Sequence, residues 1–272
     1  MFNIGTAIGM ALGALLYLGH KHLLFILFFI AMLVSWYLFE KYYDVKQIIN
    51  KKGDVTTKFK HFFDSYRDVV KDKYYMMLNL GYMMVIMAEL SLNSYVVVRL
   101  KDAFEPLTIF GFYIDGVRMF TVIMIINTVV VATLTFTVNR IVATTSTRIA
   151  FMIGIVLYTL GYSVLTSATS FWILCLFSIV ATIGELIYSP IQNAQRFLMI
   201  PEDKRSTYST FAMVSFYGGN ILARFGLIIG AFILPWMMSI YVAVIVLLGF
   251  VLLYYALFCN PNIDNRKQKR LD

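Results

Sequence analysis

The sequence is organised as long apolar runs separated by short charged segments. A bilayer core of about 30 Å needs roughly 20 apolar residues, at about 1.5 Å each in a helix. Eight runs meet this length, at about 2–19, 22–40, 75–98, 117–138, 149–167, 170–192, 208–234 and 237–259. The stretch 104–116 is apolar but short, so we expect an external loop or the first turns of the fourth span. The pattern predicts an all-α membrane protein with about eight transmembrane helices.

The composition agrees with a chain that is embedded in lipid. Of its residues 60% are hydrophobic and 14% are charged, whereas a soluble domain carries about 25% charged residues. The net charge of +8 comes from basic residues between apolar runs, so the chain lacks the single basic face that nucleic acid requires. Cys175 and Cys259 lie inside apolar runs, where packing is the expected role. The expected partner of this surface is the lipid bilayer.

The distribution of Lys and Arg predicts the orientation of the spans. Basic residues are retained on the cytoplasmic side of short loops. One set of alternate loops holds 18 of them and the other set holds 4. The N-terminal run lacks the positive segment and the cleavage site of a signal peptide, so it is expected to stay as the first span. Both termini and the long linker 41–73 are therefore predicted to lie in the cytoplasm of a multi-pass cell-membrane protein.

An internal repeat suggests how the spans are grouped. A shift of 217 residues aligns the first two spans with the last two, matching Ile4 with Ile221, Gly9 with Gly226, Gly13 with Gly230, Ala14 with Ala231 and Tyr37 with Tyr254. Repeated helical bundles are common in transporters. A chance match is the alternative, because Gly is frequent in membrane helices.

The repeat leads to a specific division of the chain. Residues 1–40 would be the last two helices of an N-terminal bundle whose first four helices have no counterpart here. Residues 41–73, which mix basic and acidic residues, would be a cytoplasmic linker at the membrane surface. Residues 74–260 would form a complete six-helix C-terminal bundle, followed by a cytoplasmic tail at 261–272.

Three ionisable residues lie inside predicted spans, where a charge is costly and usually serves a function. Glu89 and Arg224 lie about 21 and 24 Å from the cytoplasmic ends of their spans, so we expect an ion pair between them. Such a pair could take part in proton transfer or could only lock two helices together. Glu185 is expected about 10 Å inside its span, just before Pro190, which interrupts a helix. Its carboxylate could exchange protons and attract cations, or could be capped by nearby hydroxyl groups.

Other polar and small residues in the spans are further candidates. Asn127 and Asn220 could line a cavity, although interhelical hydrogen bonds explain them equally well. Gly5, Gly9 and Gly13 recur every four residues and form a smooth face for close helix packing. The sequence has neither the residue spacing typical of a zinc site nor a phosphate-binding glycine loop with Lys. It therefore predicts a transporter without metal, cofactor or enzymatic activity, and one that ATP does not drive.

Three tracts of the sequence carry a resemblance to one transporter family. They are Gly184–Pro190, Asn3–Gly13 and the basic loop residues Asn139, Arg140 and Arg148. In that order they are similar to the acidic tenth helix, the glycine-rich fifth helix and the degraded second basic loop motif of multidrug proton antiporters in the major facilitator superfamily. The chain thus resembles helices five to twelve of a twelve-helix member. The proline often found in the antiporter motif of the family is absent.

The resemblance implies a secondary active transporter with two helical bundles that rock about a central cavity. It implies proton-coupled efflux of lipophilic cationic compounds, in which Glu185 and Glu89 carry the proton and Arg224 tunes Glu89. Two alternatives stay open. The chain could be a truncated, transport-incompetent remnant, or could need a partner that supplies the missing helices. It could also be a facilitator for another small molecule, such as a sugar, peptide or lipid.

Overall fold

The computed structural model describes residues 21–42, 66–109, 111–201 and 204–261. Seven helical spans in these ranges are long and apolar enough to cross a membrane. The helices are α1 (Lys21–Tyr42), α2 (Lys73–Leu90), α3 (Val97–Ala103), α4 (Gly116–Thr144), α5 (Thr147–Ser167), α6 (Phe171–Met199), α7 (Arg205–Gly230) and α8 (Pro235–Phe258). The stretch Lys73–Ala103, with α2 and α3, counts as one span. The predicted all-α membrane fold is confirmed, and the predicted span at 2–19 lies outside the described residues.

The chain divides into two compact units, Met1–Asp64 and Ser65–Asp272. In the first unit the structure describes α1, which is apolar on every side between His22 and Glu40, as is typical of a membrane span. The second unit contains α2 to α8 and carries all side chains of the candidate site. The proposed boundaries at 40, 73 and 260, and the cytoplasmic position of the termini, stay predictions.

Local sequence signals explain where several helices begin. Asp72 caps α2, since its side chain accepts a hydrogen bond from the Tyr75 backbone N–H at 3.1 Å. Asp115 caps α4 in the same way through the backbone N–H of Arg118 at 2.8 Å. Such caps satisfy backbone donors that a helix start leaves unpaired. α8 begins with Pro235, whose missing N–H is tolerated in a first turn.

The span that contains α2 and α3 is interrupted by a π-helical segment, Leu92–Val96. The Val96 N–H donates to the Ser91 carbonyl at 3.0 Å, which is the five-residue spacing of a π-helix. Segments of this kind occur frequently at functional sites. This one begins three residues after Glu89, so it adjoins the candidate site.

The apolar stretch at 104–116 forms a small antiparallel hairpin. Its strands are β1 (Leu107–Ile109) and β2 (Phe112–Ile114), and Thr108 is paired with Tyr113. Gly111 in the turn has a φ of 81°, a left-handed conformation that favours glycine. The structure agrees with the predicted loop rather than with the alternative of an early start of the fourth span. The strands themselves were not predicted, because three residues are too few for a visible alternation.

Two helices extend beyond the apolar runs that predicted them. α4 continues to Thr144 and α6 to Met199, where the sequence predicted ends near 138 and 192. An apolar run marks the part of a helix suited to hydrocarbon, whereas helical hydrogen bonding continues past the first polar residues. Pro190 lies inside α6, so the expectation that it interrupts the helix was wrong. Neighbouring groups can satisfy the backbone around a proline in a membrane helix.

Glycines allow close crossings between helices of the second unit. α5 packs along α6, and α2 packs along α8. A Cβ on Gly81 would lie 2.7 Å from the Gly249 carbonyl oxygen, which is closer than van der Waals contact permits. A Cβ on Gly184 would collide with the backbone of Tyr158 and Gly154. Small residues at crossing points are the usual means of close packing in membranes, and here they hold α5 against α6.

α2 and the segment before it meet α7 along a row of polar contacts. Three side-chain pairs form this row: Asp68 with Lys204 at 2.7 Å, Asp72 with Tyr208 at 3.3 Å, and Asn79 with Ser215 at 2.8 Å. In each pair the partners are 136 residues apart. A constant separation means that the two helices run parallel in one register.

Candidate functional site

The two intramembrane glutamates lie in different helices but at similar depth. Glu89 is about 16 residues from the start of α2 and Glu185 about 14 from the end of α6, which corresponds to about 24 and 21 Å along the helices. Both of these helix ends are on the side predicted to be cytoplasmic. The expected depth of about 10 Å for Glu185 was counted from the end of its apolar run, whereas α6 itself continues through Pro190 to Met199. That depth stays a prediction.

The fold brings these two carboxyl groups together. Glu89 and Glu185 are half-buried and are close enough to interact electrostatically. Among the described residues, neither forms a salt bridge with a basic side chain. An acidic pair at membrane depth is costly unless its charge is compensated, and such groups usually mark ion or proton pathways. The pair is therefore the best candidate for a functional site.

Four tyrosines surround the pair. Each lies within electrostatic range of both carboxyl groups: Tyr82 from α2, Tyr158 and Tyr162 from α5, and Tyr188 from α6. We call the two glutamates and these tyrosines the carboxyl–tyrosine cluster. The centroid of the Tyr158 ring lies 4.5 Å from that of Tyr162 and 5.0 Å from that of Tyr188. The Tyr158 O–H donates to the Val85 carbonyl at 3.1 Å, which ties α5 to α2.

Asn127 adjoins the cluster from α4. Its Nδ2 donates to Thr182 Oγ1 at 3.0 Å, and its side chain is within hydrogen-bonding reach of the Glu185 carboxyl group. One of the two predicted cavity residues thus lies beside a predicted coupling residue. Asn220 is half-buried on α7, and within the described ranges no hydrogen bond connects it to the cluster. Its role as a cavity residue stays a prediction.

Arg224 does not form the expected ion pair with Glu89. It is exposed, and the one salt bridge between described residues joins Lys204 to Asp68. Its neighbour Ala223 is 1% exposed, and consecutive residues of a helix are rotated by about 100°. Arg224 therefore leaves α7 on a different side from the one that packs against the rest of the unit.

Two residues of α6 that the sequence analysis did not assign to a site lie on the same side as Glu185. Gln192 and Arg196 follow it by seven and eleven residues, which are close to whole numbers of helical turns. Gln192 is 2% exposed, and its Nε2 has no hydrogen-bond partner in the described part of the chain. The guanidinium carbon of Arg196 lies 5.9 Å from the centroid of the Tyr82 ring. The spacing from Glu185 was the signal that could have identified both.

The residues of the predicted loop motif flank the short connection between α4 and α5. Asn139 and Arg140 are exposed within α4, because that helix extends past them. The guanidinium carbon of Arg148 lies 5.9 Å from the centroid of the Phe258 ring, so it links the start of α5 to the end of α8. The predicted packing motif lies outside the described residues: Gly5, Gly9 and Gly13.

The fold and the cluster define a class of membrane protein. Among the described residues there are seven apolar spans, and such spans with ionisable groups between them are typical of a multi-pass transporter of the cell membrane. The sequence profile of the Major Facilitator Superfamily matches residues 1–223. The chain belongs to the major facilitator superfamily, a family of secondary transporters.

A curated relative is similar to this chain over most of its length. The Na(+), Li(+), K(+)/H(+) antiporter of Planococcus maritimus is 23% identical over an alignment of 272 positions, and the alignment covers 93% of this chain and 63% of the relative. The chain therefore spans less than two thirds of the length of that relative. The name of the relative describes the exchange of monovalent cations for protons.

Proposed function

We propose that the chain carries out proton-coupled antiport, with the carboxyl–tyrosine cluster as a shared site for protons and a cationic substrate. The observation that supports this best is the proximity of Glu89 and Glu185 in spans of a major facilitator chain. Exchanging a proton for a monovalent cation leaves the charge of the pair unchanged. An empty pair has additional negative charge in a medium of low dielectric constant, which is unfavourable. Competition for one site then couples the two movements.

Each group of the cluster has a distinct role in this proposal. The carboxyl oxygens of Glu89 and Glu185 hold the proton in one half of the cycle and the cation in the other. Asn127 orients the Glu185 carboxyl group through its hydrogen-bonding contact. The tyrosine rings present faces that attract cations in desolvated sites. Movement of the helical bundles would expose the loaded site to alternate sides of the membrane.

The proposed substrate is a lipophilic organic cation that leaves in exchange for protons. Tyr82 is half-buried, and the guanidinium of Arg196 already lies over its ring at 5.9 Å. A ring in this position suits a flat, weakly hydrated cation better than a strongly hydrated one. Arg224, exposed on α7, is proposed to act on the cation through its charge rather than through a contact with Glu89.

A second candidate substrate is an alkali cation. The relative from Planococcus maritimus is named as an antiporter of such ions. Oxygen atoms are the ligands that hard cations prefer, and the cluster supplies carboxyl and phenolic oxygens. Asn127, whose side chain is within hydrogen-bonding reach of Glu185, also carries an amide oxygen. The two candidates differ in whether the aromatic faces or the oxygen atoms bind the substrate.

Flux measurements in proteoliposomes test the proposed function. The 272-residue chain is reconstituted with a pH-sensitive dye inside, and ethidium, a flat organic cation, or sodium is added outside. Entry of either cation should drive protons out and raise the internal pH. We expect Glu89→Gln and Glu185→Gln each to abolish the exchange, because each removes a carboxylate that holds the proton or the cation. The cation that drives the larger pH change identifies the substrate class.

Control variants make the outcome decisive. Arg118 is exposed and lies near the ring of Tyr113, far along the chain from either glutamate, so Arg118→Gln should retain the exchange. Exchange at the original rate in a Glu89→Gln, Glu185→Gln double variant would exclude the cluster as the site. Cation uptake without a pH change would favour a facilitator. No flux of any tested compound would favour a transport-incompetent chain.

A further inference from the structure

Arg196 is a half-buried cation whose partners in the described part of the chain are an aromatic ring and a hydroxyl group. Its guanidinium carbon lies 5.9 Å from the Tyr82 ring centroid, and it is within hydrogen-bonding reach of the Tyr75 hydroxyl. The Tyr75 O–H itself donates to the Tyr208 carbonyl at 2.6 Å, which fixes the phenol. No salt bridge in the described ranges includes Arg196. No acidic side chain among the described residues therefore pairs with its charge.

Arg196 lies at the end of two rows of side chains that lead to the carboxyl pair. The rows are Glu185, Gln192 and Arg196 on α6, and Glu89, Tyr82 and Tyr75 on α2. Within each row the spacing of four or seven residues places the side chains on one side of the helix. Both rows run from the pair toward the side predicted to be cytoplasmic. Tyr82 interacts electrostatically with Arg196 and with both glutamates, so it connects the rows.

Gln192 occupies the middle of the α6 row. It is 2% exposed, and its Nε2 donor has no partner in the part of the chain that the structure describes. A buried donor without a partner is unfavourable in the absence of a ligand or water. An amide donor that the described residues leave unpaired, between a guanidinium and an acidic pair, is a second observation that favours a polar species in this row.

We propose that Arg196 is a tethered cation that occupies the face of Tyr82, the outermost ring of the cluster, and that a substrate cation must displace it to reach the glutamates. A guanidinium at this point repels other cations nearby. It gives way only to a cation that binds an aromatic ring at least as well. Protons do not need to displace Arg196 from the Tyr82 ring, because they can move between hydrogen-bonding groups. Arg196 would thus select lipophilic cations over hydrated ones.

The charge barrier at Tyr82 can be tested without measuring transport. Ser189 lies on α6 between Glu185 and Arg196 and is half-buried, so Ser189→Cys introduces a thiol of similar volume behind the barrier. The background carries Cys175→Ser and Cys259→Ser, which removes both native thiols. Inside-out membrane vesicles are treated with a cationic or an anionic methanethiosulfonate reagent, neither of which crosses the membrane. The measured quantity is the rate of modification by the cationic reagent divided by the rate of modification by the anionic reagent.

Neutralising Arg196 should change this ratio in favour of the cationic reagent. We expect Arg196→Gln to raise it about tenfold, from the loss of one charge a few ångströms from the path. Arg196→Lys keeps the charge and should keep the original ratio. Arg118→Gln removes an arginine from another ring and should also leave it unchanged. Equal acceleration of both reagents, an unchanged ratio, or labelling only from the opposite side of the membrane would overturn the proposal.

A second neutral variant guards against loss of folding. Arg196→Met keeps the apolar stem of the side chain, so it should fold where Arg196→Gln does not and should give the same tenfold rise in the ratio. The choice of substrate rests on the proposed function, whereas the charge barrier does not. If Arg196→Gln shifts the ratio in a chain that exchanges no cations, the charge barrier is supported and the proposed antiport is contradicted. Antiport with an unshifted ratio would do the reverse.

Discussion

Two charged side chains at similar depth, Glu89 and Arg224, differ in the direction in which they leave their helices. Glu89 interacts with Glu185, whereas Arg224 is exposed on α7. In a double-mutant cycle with Glu89→Gln and Arg224→Gln we therefore expect a coupling free energy below about 0.5 kcal/mol. The measurement is the free energy of unfolding of the purified protein in mixed micelles. Residues in contact typically show coupling free energies of about 0.5–3 kcal/mol. A value well above about 1 kcal/mol would therefore support an ion pair between Glu89 and Arg224.

The ion pair between Asp68 and Lys204 predicts a specific dependence of stability on pH. Lys204 Nζ lies 2.7 Å from Asp68 Oδ2 and, by hydrogen bonding and attraction, lowers the pKa of Asp68. A group whose pKa is lowered by folding stabilises the protein at neutral pH, and this contribution is lost as the pH falls through the lowered value. Thermal unfolding should show a small loss of stability below about pH 4, and Asp68→Asn should remove it.

The matched control for this step is Asp102. It is an exposed aspartate on α3, and no salt bridge between described residues includes it. Asp102→Asn should therefore leave the dependence of the unfolding temperature on pH as it is in the original chain. An unaltered acid step in the Asp68→Asn protein would mean that other carboxylates cause it.

At the scale of elements, the crossing of α5 and α6 positions most of the cluster. Three of its tyrosines come from these two helices, and Glu185 directly follows Gly184 at the crossing point. A Cβ on Gly184 would collide with backbone atoms of Tyr158 and Gly154, which cannot move as a flexible side chain can. The contact at Gly184 therefore fixes the distance between α5 and α6 next to the carboxyl–tyrosine cluster.

Gly184→Ala should accordingly destabilise the protein by about 1–3 kcal/mol, the usual effect of overpacking. Gly226→Ala is the control, because a Cβ there meets the flexible end of the Met238 side chain at 3.0 Å and should have a smaller effect. Both free energies can be measured by unfolding in mixed micelles. A Gly184→Ala protein as stable as the original would mean that the crossing can widen.

The elements also differ in how far the sequence predicts them. The spans were predictable because about 20 apolar residues are required to cross a bilayer, and each described span matches such a run. The π-helical segment at Leu92–Val96 and the continuation of α6 through Pro190 were not predictable from hydropathy. Both depend on whether neighbouring groups form hydrogen bonds with the local backbone. The length of an apolar run carries no information about this.

At the scale of the whole molecule, the site depends on which helices become neighbours. The three intramembrane charges could be identified from the sequence, because each interrupts an apolar run. Their pairing could not, since depth follows from counting residues whereas contact depends on helices that are distant in the chain. Glu89 and Glu185 meet through packing that involves α5, which contributes Tyr158 and Tyr162. Gln192 and Arg196 lie on the same helix as Glu185, so their spacing could have identified them, but their contacts with α2 could not be predicted.

The orientation of the molecule decides which side of the membrane Arg196 faces, and two serines can test it. Ser146 precedes α5 and Ser170 precedes α6. Both are exposed, and neither side chain forms a capping hydrogen bond. Because α5 lies between them in the chain and is long enough to span the bilayer, the two positions should be on opposite sides.

The excess of Lys and Arg in alternate loops places Ser146 in the cytoplasm and Ser170 outside. In a background without native thiols, Ser146→Cys should react with an impermeant thiol reagent in inside-out vesicles, and Ser170→Cys should react in right-side-out vesicles. Labelling of both from one side would mean that α5 does not cross the membrane. The reverse pattern would place Arg196 on the outer side of the membrane and would overturn the proposal that it selects cations entering from the cytoplasm.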